Sequence, residues 1–310
     1  MKHAAARERA ANEDSDTRIP PRATVHRSRN DSRAPARNAA RLSNNRTRRG
    51  GESVASVVRT EIVEPFIALV TIDNPPVNAH SAQVLLELAE SFDAIADRDD
   101  VRVAILTGAG KVFCAGADIK TRSGRAPQPG DHWQTSRAAR EAYHSVRECV
   151  KPVVGALNGA ALGGGLAIAA SCDMLVAAES ACLGLPEIDV GLLGGGRHAQ
   201  RLFAHSRLRR MMLTGYRVFG PELYRLGVVE ACVKAEELMP TALSLAREVA
   251  AKSPVAIKLA KHALNTIEEL SLRDGYRFEQ TMTGQLAQTE DSKEAMRAFV
   301  EKRKPEFKGR

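Results

Sequence analysis

Cysteine pairs, metal-ligand clusters and long apolar runs are all scarce in this chain. Its five cysteines include no Cys-x-x-Cys pair and show no ligand spacing with histidine, which indicates reduced, mostly buried thiols in a cytoplasm-like compartment rather than a disulfide framework or a zinc site. The longest run of low charge, residues 153–170, contains Asn158 and five glycines. We interpret it as a buried strand, turn and helix, and expect no membrane-spanning segment.

The first 50 residues have too few apolar side chains to form a core. They contain no Phe, Trp or Tyr and only four residues among Met, Ile, Val and Leu. They hold 13 Lys and Arg against 5 Asp and Glu and so carry the whole formal charge of +8, whereas the rest of the chain holds 32 of each sign. Such a segment cannot offset the entropy of ordering its backbone. We expect residues 1–53 to form a disordered basic extension.

This extension allows other interpretations. Its Arg and Ser content resembles a transit peptide, but its five acidic residues count against one, and the N-terminus lacks the apolar stretch of a signal peptide. An RNA-binding arm is supported by the basic charge and opposed by the lack of aromatic side chains for base stacking. We favour the interpretation that these residues are simply an N-terminal extension of the folded protein. We expect no nucleic-acid partner, and RNA binding is left as an alternative.

From Val54 onward the apolar pattern becomes that of a folded protein. Segments 57–63 and 67–72 predict two strands joined at Glu64-Pro65, and residues 82–97 have apolar side chains at helical spacing. Further apolar runs predict strands at 101–107, 152–157, 174–178 and 228–233, with a helix at 166–170. Alternating strands and helices indicate an α/β core over residues 54–253. After Pro254 only helical patterns occur, which predicts a C-terminal helical region, 254–310, that packs on the core or on a neighbouring subunit.

Two turns rich in small residues are candidates for a functional site. The first, residues 113–120, reads Phe-Cys-Ala-Gly-Ala-Asp-Ile-Lys, and its small residues let a ligand approach backbone N–H groups. The second, residues 158–165, reads Asn-Gly-Ala-Ala-Leu-Gly-Gly-Gly and leads into a helix whose N-terminus favours negative charge. For either turn alone, we favour the explanation that it is a tight packing point. Together they can hold one oxyanion from two sides.

These turns, in this order and with Pro186-Glu187 about twenty residues after the second, resemble the enoyl-CoA hydratase/isomerase (crotonase) superfamily. The resemblance covers roughly residues 54–310 and includes Asn78-Ala79, residues 200–202 and the C-terminal string from Phe299. It implies an α/β fold, a spiral of ββα units with a C-terminal helical trimerisation region, commonly assembled as a dimer of trimers. It also implies an acyl-CoA thioester substrate, so that coenzyme A is part of the substrate and we expect neither a separate cofactor nor a metal.

The resemblance assigns roles to individual residues. The N–H groups of Ala117 and Gly164 would bind the thioester oxygen, where one preorganised donor is typically worth about 3–4 kcal/mol. Lys120 would contact phosphate or pantetheine. Phe299 and Lys302 would lie near the adenine, although a solvated helix charge is an equal alternative for Lys302. The predicted acyl-CoA-binding residues are Ala79, Ala115, Ala117, Asp118, Ile119, Lys120, Gly163, Gly164, Pro186, Gly195, Phe299 and Lys302.

The sequence departs from the hydratase pattern at one catalytic position. Typical hydratases of this family have a second glutamate two residues after the triple glycine, and here that residue is Ala167. Glu187 matches the retained carboxylate, and we expect it to be the acid/base residue with a pKa raised by burial. A single carboxylate can move a proton from one carbon of a dienolate to another, which is isomerisation of a 3-enoyl to a 2-enoyl thioester. Isomerase and variant hydratase therefore both stay open.

The segment after Gly194 also departs from the usual form. Arg197 and His198 follow the glycines, and either could bind a carboxylate or amide on the acyl group or replace the lost acid, but we favour residues that cap or solvate a helix start. Asp189 is a second possible proton carrier, which we rank below Glu187. A non-catalytic acyl-CoA-binding homologue is a further alternative, opposed by the intact turns and by Glu187. Residues 121–138, with the single Trp133, should line the acyl pocket, but their sequence does not indicate which acyl chain the pocket accepts.

Overall fold

The folded part of the chain begins with a β-hairpin. In the computed structural model, which describes residues 55–118, 126 and 128–310, β1 (Val58–Glu64) pairs antiparallel with β2 (Phe66–Ile72). The two strands are joined at Pro65, as the Glu64-Pro65 pattern predicted. Residues 1–53, Ile119 and Lys120 lie outside the described residues, so what we expect of them stays a prediction.

The strands of the described residues form two sheets. The strands after the hairpin are β3 (Val101–Gly108), β4 (Val112–Cys114), β5 (Val153–Leu157), β6 (Ala160–Leu162), β7 (Met174–Ala178), β8 (Cys182–Gly184), β9 (Arg217–Phe219) and β10 (Ala231–Val233). One sheet has the order β1-β2-β3-β5-β7-β10, and the other has the order β4-β6-β8-β9. From β2 to β10 all neighbours in the first sheet are parallel. Its central strands are buried almost throughout, which is why they read as continuous apolar runs in the sequence.

Helices follow the strands in a repeated plan. In the described residues, the α-helices are α1 (Ala82–Ala96), α2 (Asp131–Glu148), α3 (Gly164–Ser171), α4 (Gly196–Ala199), α5 (His205–Thr214), α6 (Gly220–Arg225), α7 (Leu238–Ala250), α8 (Pro254–Ile267), α9 (Leu272–Ala287) and α10 (Glu290–Val300), and 3-10 helices span Pro186–Val190 and Ala235–Glu237. Strand β3 leads within a few residues into β4, after which the next described helix is α2, and β5 leads within a few residues into β6 and then α3. Each such unit gives one strand to each sheet before its helix. This is the predicted spiral of ββα units.

The helix starts follow local sequence chemistry. The side chains of Ser81, Ser253, Ser271 and Thr289 each accept a hydrogen bond from a backbone N–H in the first turn of α1, α8, α9 and α10. The elements after Pro254 are helical, as predicted. The strand predicted at 228–233 is shorter than expected, because the Val228 N–H donates to the Leu223 carbonyl at 2.9 Å and so closes the turn after α6.

Lys261 of α8 ties the C-terminal helices to the core. Its side chain is 6% exposed, and its ammonium group lies 2.7 Å from a carboxylate oxygen of Asp173 and 3.0 Å from the carbonyl oxygen of Lys151. The same oxygen of Asp173 accepts the N–H of Val153 at the start of β5, at 2.7 Å. Burial raises the pKa of Asp173, so this carboxylate depends on its cationic partner to stay ionised.

We therefore expect Lys261→Met to lower the free energy of unfolding by about 3 kcal/mol, because it leaves Asp173 without its counter-charge. Urea denaturation at neutral pH measures the effect. Lys258→Met, at an exposed position of the same helix, should change stability by less than about 0.5 kcal/mol. Equal stability of the two variants would contradict the importance of the ion pair.

Candidate active site

The turn after β4 is paired with the loop that precedes α1. The N–H of His80 donates to the carbonyl of Gly116 at 2.9 Å, and the N–H of Ala115 donates to the carbonyl of Val77 at 3.1 Å. His80 and Ala117 form a parallel bridge. Because that bridge uses the N–H of His80 and the carbonyl of Gly116, it leaves the N–H of Ala117 outside the pairing.

Asn78 fixes the same loop from inside the protein. It is 2% exposed and has a φ of 52°, a left-handed conformation that asparagine tolerates better than most residues. Its side-chain amide donates to the carbonyls of Ala109 and Val112 at 2.9 and 2.7 Å. These bonds place the Asn78-Ala79 segment beside β4, so the structure brings Ala79 close to Ala115 and Ala117.

The second turn joins β6 to α3. Gly163 is the N-cap, with a φ of 54°, and its N–H donates to the carbonyl of Gly184 at 2.9 Å. Gly164 is the first residue of α3, so its N–H is one of the groups that have no partner within the helix. The helix dipole adds positive potential at this end.

The two turns touch each other. A Cβ built on Gly116 would lie 2.6 Å from the carbonyl oxygen of Leu162 and 3.4 Å from the backbone nitrogen of Gly164. A Cβ on Gly165 would lie 2.0 Å from the carbonyl oxygen of Cys114. Such contacts leave no room for a side chain, which explains why small residues occur in both segments. Ala117 and Gly164 are thereby brought together from turns that are about fifty residues apart in the sequence.

Glu187 lies beside the second turn. It belongs to the 3-10 helix Pro186–Val190, and a Cβ on Gly163 would lie only 2.2 Å from its Oε1. Its Oε2 is buried and has no hydrogen-bond partner among the described residues. Burial raises the pKa of the Glu187 carboxyl above its ordinary value of 4.5. A carboxylate with a raised pKa is a better base than an exposed one.

Pro186 and Gly195 complete the surroundings of Glu187. Pro186 starts the 3-10 helix. Gly195 precedes α4 with a φ of 73°, and a Cβ there would lie 3.5 Å from the carbonyl oxygen of Gly163. A Cβ on the neighbouring Gly194 would lie 3.9 Å from Oε1 of Glu187. The structure thus brings both predicted residues together with Gly163 and Glu187.

Ala167 occupies the position where the family pattern has a second carboxylate. It is 1% exposed and lies one turn after Gly164 on the same face of α3. A methyl group offers no acid, base or hydrogen bond. Of these two positions, only Glu187 can exchange a proton.

A pair of side chains that the sequence did not single out lies on another side of Gly164. A Cβ on Gly164 would lie 2.0 Å from Nε2 of His80 and 2.6 Å from the hydroxyl of Tyr143. The hydroxyl is 3.4 Å from Nε2 of His80. The ring of His198 meets the ring of Tyr143 edge to face at 5.3 Å. Tyr143 lies between Ala142 and Val146 on the buried stripe of α2, and a tyrosine in such a stripe is the signal that could have revealed it.

The structure separates the roles of Arg197 and His198. Arg197 is exposed and pairs with Glu269 at 3.1 Å, which agrees with a charge at a helix start. His198 faces Tyr143 instead. Burial, followed by the charges of His144, Arg201 and Arg197, lowers the pKa of His198. The lowered pKa favours the neutral ring of His198 over a cation that would bind an anion.

Other predicted site residues are not among the contacts that join the two turns to Glu187. Phe299 is 85% exposed at the end of α10, and Lys302 follows the helix and is also exposed. Asp118 is half-buried after the first turn. Asp189 is exposed, and a Cβ on Gly215 would lie 2.7 Å from its Oδ2. The acyl-CoA contacts of Asp118, Phe299 and Lys302 stay predictions.

The described part of the chain has neither a metal-binding cluster nor a membrane-spanning helix. In residues 55–118, 126 and 128–310, no group of three or more His, Cys, Asp or Glu side chains is arranged to hold a metal ion. In these same ranges, no helix has both the length and the apolar character needed to cross a membrane.

Comparison with known proteins assigns the class. The family profile described as "Enoyl-CoA hydratase/isomerase" matches residues 63–310. The chain therefore belongs to the enoyl-CoA hydratase/isomerase family and is an acyl-CoA enzyme of that family.

Particular relatives support the same assignment. The chain is 36% identical over 253 residues to the short-chain-enoyl-CoA hydratase of Clostridium acetobutylicum, which covers 80% of this chain and 96% of the relative. It is 37% identical over 239 residues to a Mycobacterium tuberculosis protein described as a "(7aS)-7a-methyl-1,5-dioxo-2,3,5,6,7,7a-hexahydro-1H-indene-carboxyl-CoA hydrolase". This match covers 77% of the present chain and 96% of that protein. The crystal structure of an enoyl-CoA hydratase from Bacillus anthracis superposes with a TM-score of 0.78 at 32% identity, over 82% of this chain and all of that one. The predicted fold is thereby confirmed.

Proposed function

We propose that this protein binds an acyl-CoA thioester and transfers a proton at the carbon beside the thioester carbonyl, with Glu187 as the single carboxylate acid/base. The backbone N–H groups of Ala117 and Gly164 form the oxyanion hole. Two observations support this assignment of the oxyanion hole: the contact between the two turns, and the position of Gly164 at the start of α3. Loss of the proton places negative charge on the thioester oxygen, where fixed donors and the helix dipole lower the barrier.

Isomerisation of a 3-enoyl to a 2-enoyl thioester is the candidate reaction that requires the fewest acid/base groups in this site. Glu187 takes a proton from C2, the electrons pass into a dienolate, and the protonated carboxyl returns a proton to C4. The double bond moves from C3–C4 to C2–C3, and Glu187 ends in the ionised form in which it began. The observation that carries this proposal is the half-buried side chain of Glu187 beside Gly163, with its Oε2 buried and Ala167 at the second position.

Hydration of a 2-enoyl thioester is the second candidate. The hydroxyl of Tyr143 lies against Gly164, where it offers a polar group that Ala167 does not. The Clostridium relative is named a hydratase, which favours the same reaction. Glu187 would then take a proton from the water whose oxygen adds to C3 and deliver that proton to C2, so that the carboxylate ends ionised.

The C-terminal helices supply a surface for assembly into a homotrimer or homohexamer. Large apolar side chains are exposed on α9 and α10, among them Leu272 at 92% and Phe299 at 85%. An exposed apolar surface of this kind favours a protein interface, here with further copies of the chain. Contact of Phe299 and Lys302 with the adenine of a neighbouring subunit's ligand belongs to the same proposal. The free cysteines support a reducing, cytoplasmic location.

An absorbance assay with trans-2-enoyl-CoA and trans-3-enoyl-CoA, run in parallel at several chain lengths, tests the proposed reaction. We expect conversion of the 3-enoyl substrate to the 2-enoyl product. Hydration of the 2-enoyl substrate without isomerisation would replace the first candidate by the second. If no enoyl-CoA is either bound or converted, the proposed function is wrong.

A further inference from the structure

The imidazole ring of His80 fills the space beside the first residue of α3. A Cβ built on Gly164 would lie 2.0 Å from Nε2 and 2.4 Å from Cδ2 of this ring, so the ring edge stands where a side chain at position 164 would begin. His80 is 8% exposed, and protein interiors are close-packed. Gly164 therefore cannot shift toward His80 unless the ring also moves.

The main chain of His80 is tied to the other turn. Its N–H donates to the carbonyl of Gly116 at 2.9 Å, and His80 and Ala117 form a parallel bridge. One residue thus contacts both turns. Its backbone is bonded to the turn that carries the N–H of Ala117, and its ring lies on the turn that carries the N–H of Gly164.

Tyr143 holds the ring of His80 in this orientation. Its hydroxyl lies 3.4 Å from Nε2 of His80, and the two rings meet edge to face with their centroids 6.3 Å apart. Tyr143 is 9% exposed and belongs to α2, which packs against both α1 and α3. A ring fixed by packing in this way is already in place before a substrate binds, which is what a preorganised site requires.

We propose that His80 is a positioning residue that sets the separation of the two oxyanion donors, the N–H groups of Ala117 and Gly164. This inference rests on the proposed function, which places the thioester oxygen at these donors. His80 acts through the backbone: through the Gly116 carbonyl on one turn and through its contact with Gly164 on the other. Hydrogen bonds weaken steeply as their distance and angle depart from the optimum, so a small change in this separation weakens the stabilisation of the oxyanion.

Isotope-edited infrared spectroscopy of butyryl-CoA, labelled with a heavy carbon isotope at the thioester carbonyl, tests this inference without turnover. This ligand has no double bond to move or hydrate. Hydrogen bonds to the carbonyl oxygen weaken the C=O bond and lower its stretching frequency, so the frequency of the bound ligand reports on the two donors directly. We expect a lowered frequency in the wild type and, at saturating ligand, a frequency closer to that of free butyryl-CoA in His80→Leu.

The kinetics of the same variant should show the corresponding loss. For His80→Leu, kcat on the enoyl-CoA that the protein converts should fall by about tenfold to a hundredfold, the size expected when a catalytic group is misplaced, while KM changes little. His80→Gln should recover part of both the frequency shift and kcat, because its amide can place a nitrogen near the position of Nε2.

His262→Leu is the matched control. His262 is an exposed histidine of α8 that also meets an aromatic ring, that of Phe278, edge to face at 5.4 Å. This variant should keep the wild-type frequency and kcat.

A wild-type carbonyl frequency in His80→Leu would overturn the inference and leave the proposed function standing. Loss of butyryl-CoA binding in a folded His80→Leu would overturn it as well, because the ring would then support the whole site and not the donors alone. If His80→Leu does not fold, the same spectra of His80→Gln and Tyr143→Phe decide, and wild-type frequencies in both overturn the inference. If the wild type binds no butyryl-CoA, or binds it without lowering the frequency, both the inference and the proposed function fail.

Discussion

Replacement of Glu187 by glutamine should lower kcat by about a thousandfold on whichever enoyl-CoA the protein converts. Glutamine keeps the size of the side chain but cannot accept the proton from C2. The carboxylate lies against Gly163, and burial raises its pKa, as expected of the base that faces the reacting carbon. KM should change little, because the proposed thioester contacts come from the backbone of Ala117 and Gly164. Steady-state kinetics of the purified variant measure both constants.

Asp189→Asn is the matched control for this loss. Asp189 belongs to the same 3-10 helix, but it is exposed and lies against Gly215. Its replacement should leave kcat within about twofold, as is usual for a substitution that touches neither substrate nor core. A large loss in Asp189→Asn together with an active Glu187→Gln would reverse the assignment of the base.

The pH dependence of the same variant gives an independent check. Because the pKa of Glu187 is raised in the folded protein, its ionised form destabilises the fold above that pKa and has no effect below the ordinary range of glutamate. Glu187→Gln should therefore unfold at a higher temperature than the wild type at pH 8, with the difference vanishing in acid. In the wild type, kcat/KM should fall as the pH decreases through a pKa above 4.5.

Replacement of Gly164 by alanine should lower kcat by about a hundredfold to a thousandfold, the loss expected when one oxyanion donor is displaced. The added methyl would lie 2.0 Å from Nε2 of His80 and 2.6 Å from the hydroxyl of Tyr143, so either these side chains or the start of α3 must move. His80 is also bonded to the Gly116 carbonyl, so its shift would disturb the turn that carries Ala117. Kinetics and a thermal melt of the variant separate lost catalysis from unfolding.

Gly284→Ala is the control for this second substitution. Gly284 lies within α9, and a Cβ there would meet nothing within 4 Å. Alanine at such a helical position should retain full activity and raise stability by up to about 1 kcal/mol. Full activity of Gly164→Ala would mean that the N–H of Gly164 does not bind the thioester oxygen.

In each ββα unit, the first strand could be predicted from the sequence and the second could not. The strands β3, β5 and β7 were predictable because both of their faces are buried, so their apolar runs are continuous. Strands β4, β6 and β8 have only three residues each, too few for a periodic pattern that would distinguish them from the adjoining turns. Helix α2 was also missed, since its first half is polar and Trp133 is 68% exposed.

The sequence by itself determined the family, the two small-residue turns, Glu187 and the absence of a second carboxylate at Ala167. These features depend on residue types at fixed spacing, which a linear pattern preserves. Only the tertiary structure decided that His80 and Tyr143 meet at Gly164 and that His198 packs against the ring of Tyr143. The three come from a loop, α2 and α4, more than fifty residues apart from one another in the chain. Contacts over such separations are set by how the units of the spiral stack, and local sequence carries no signal of that stacking.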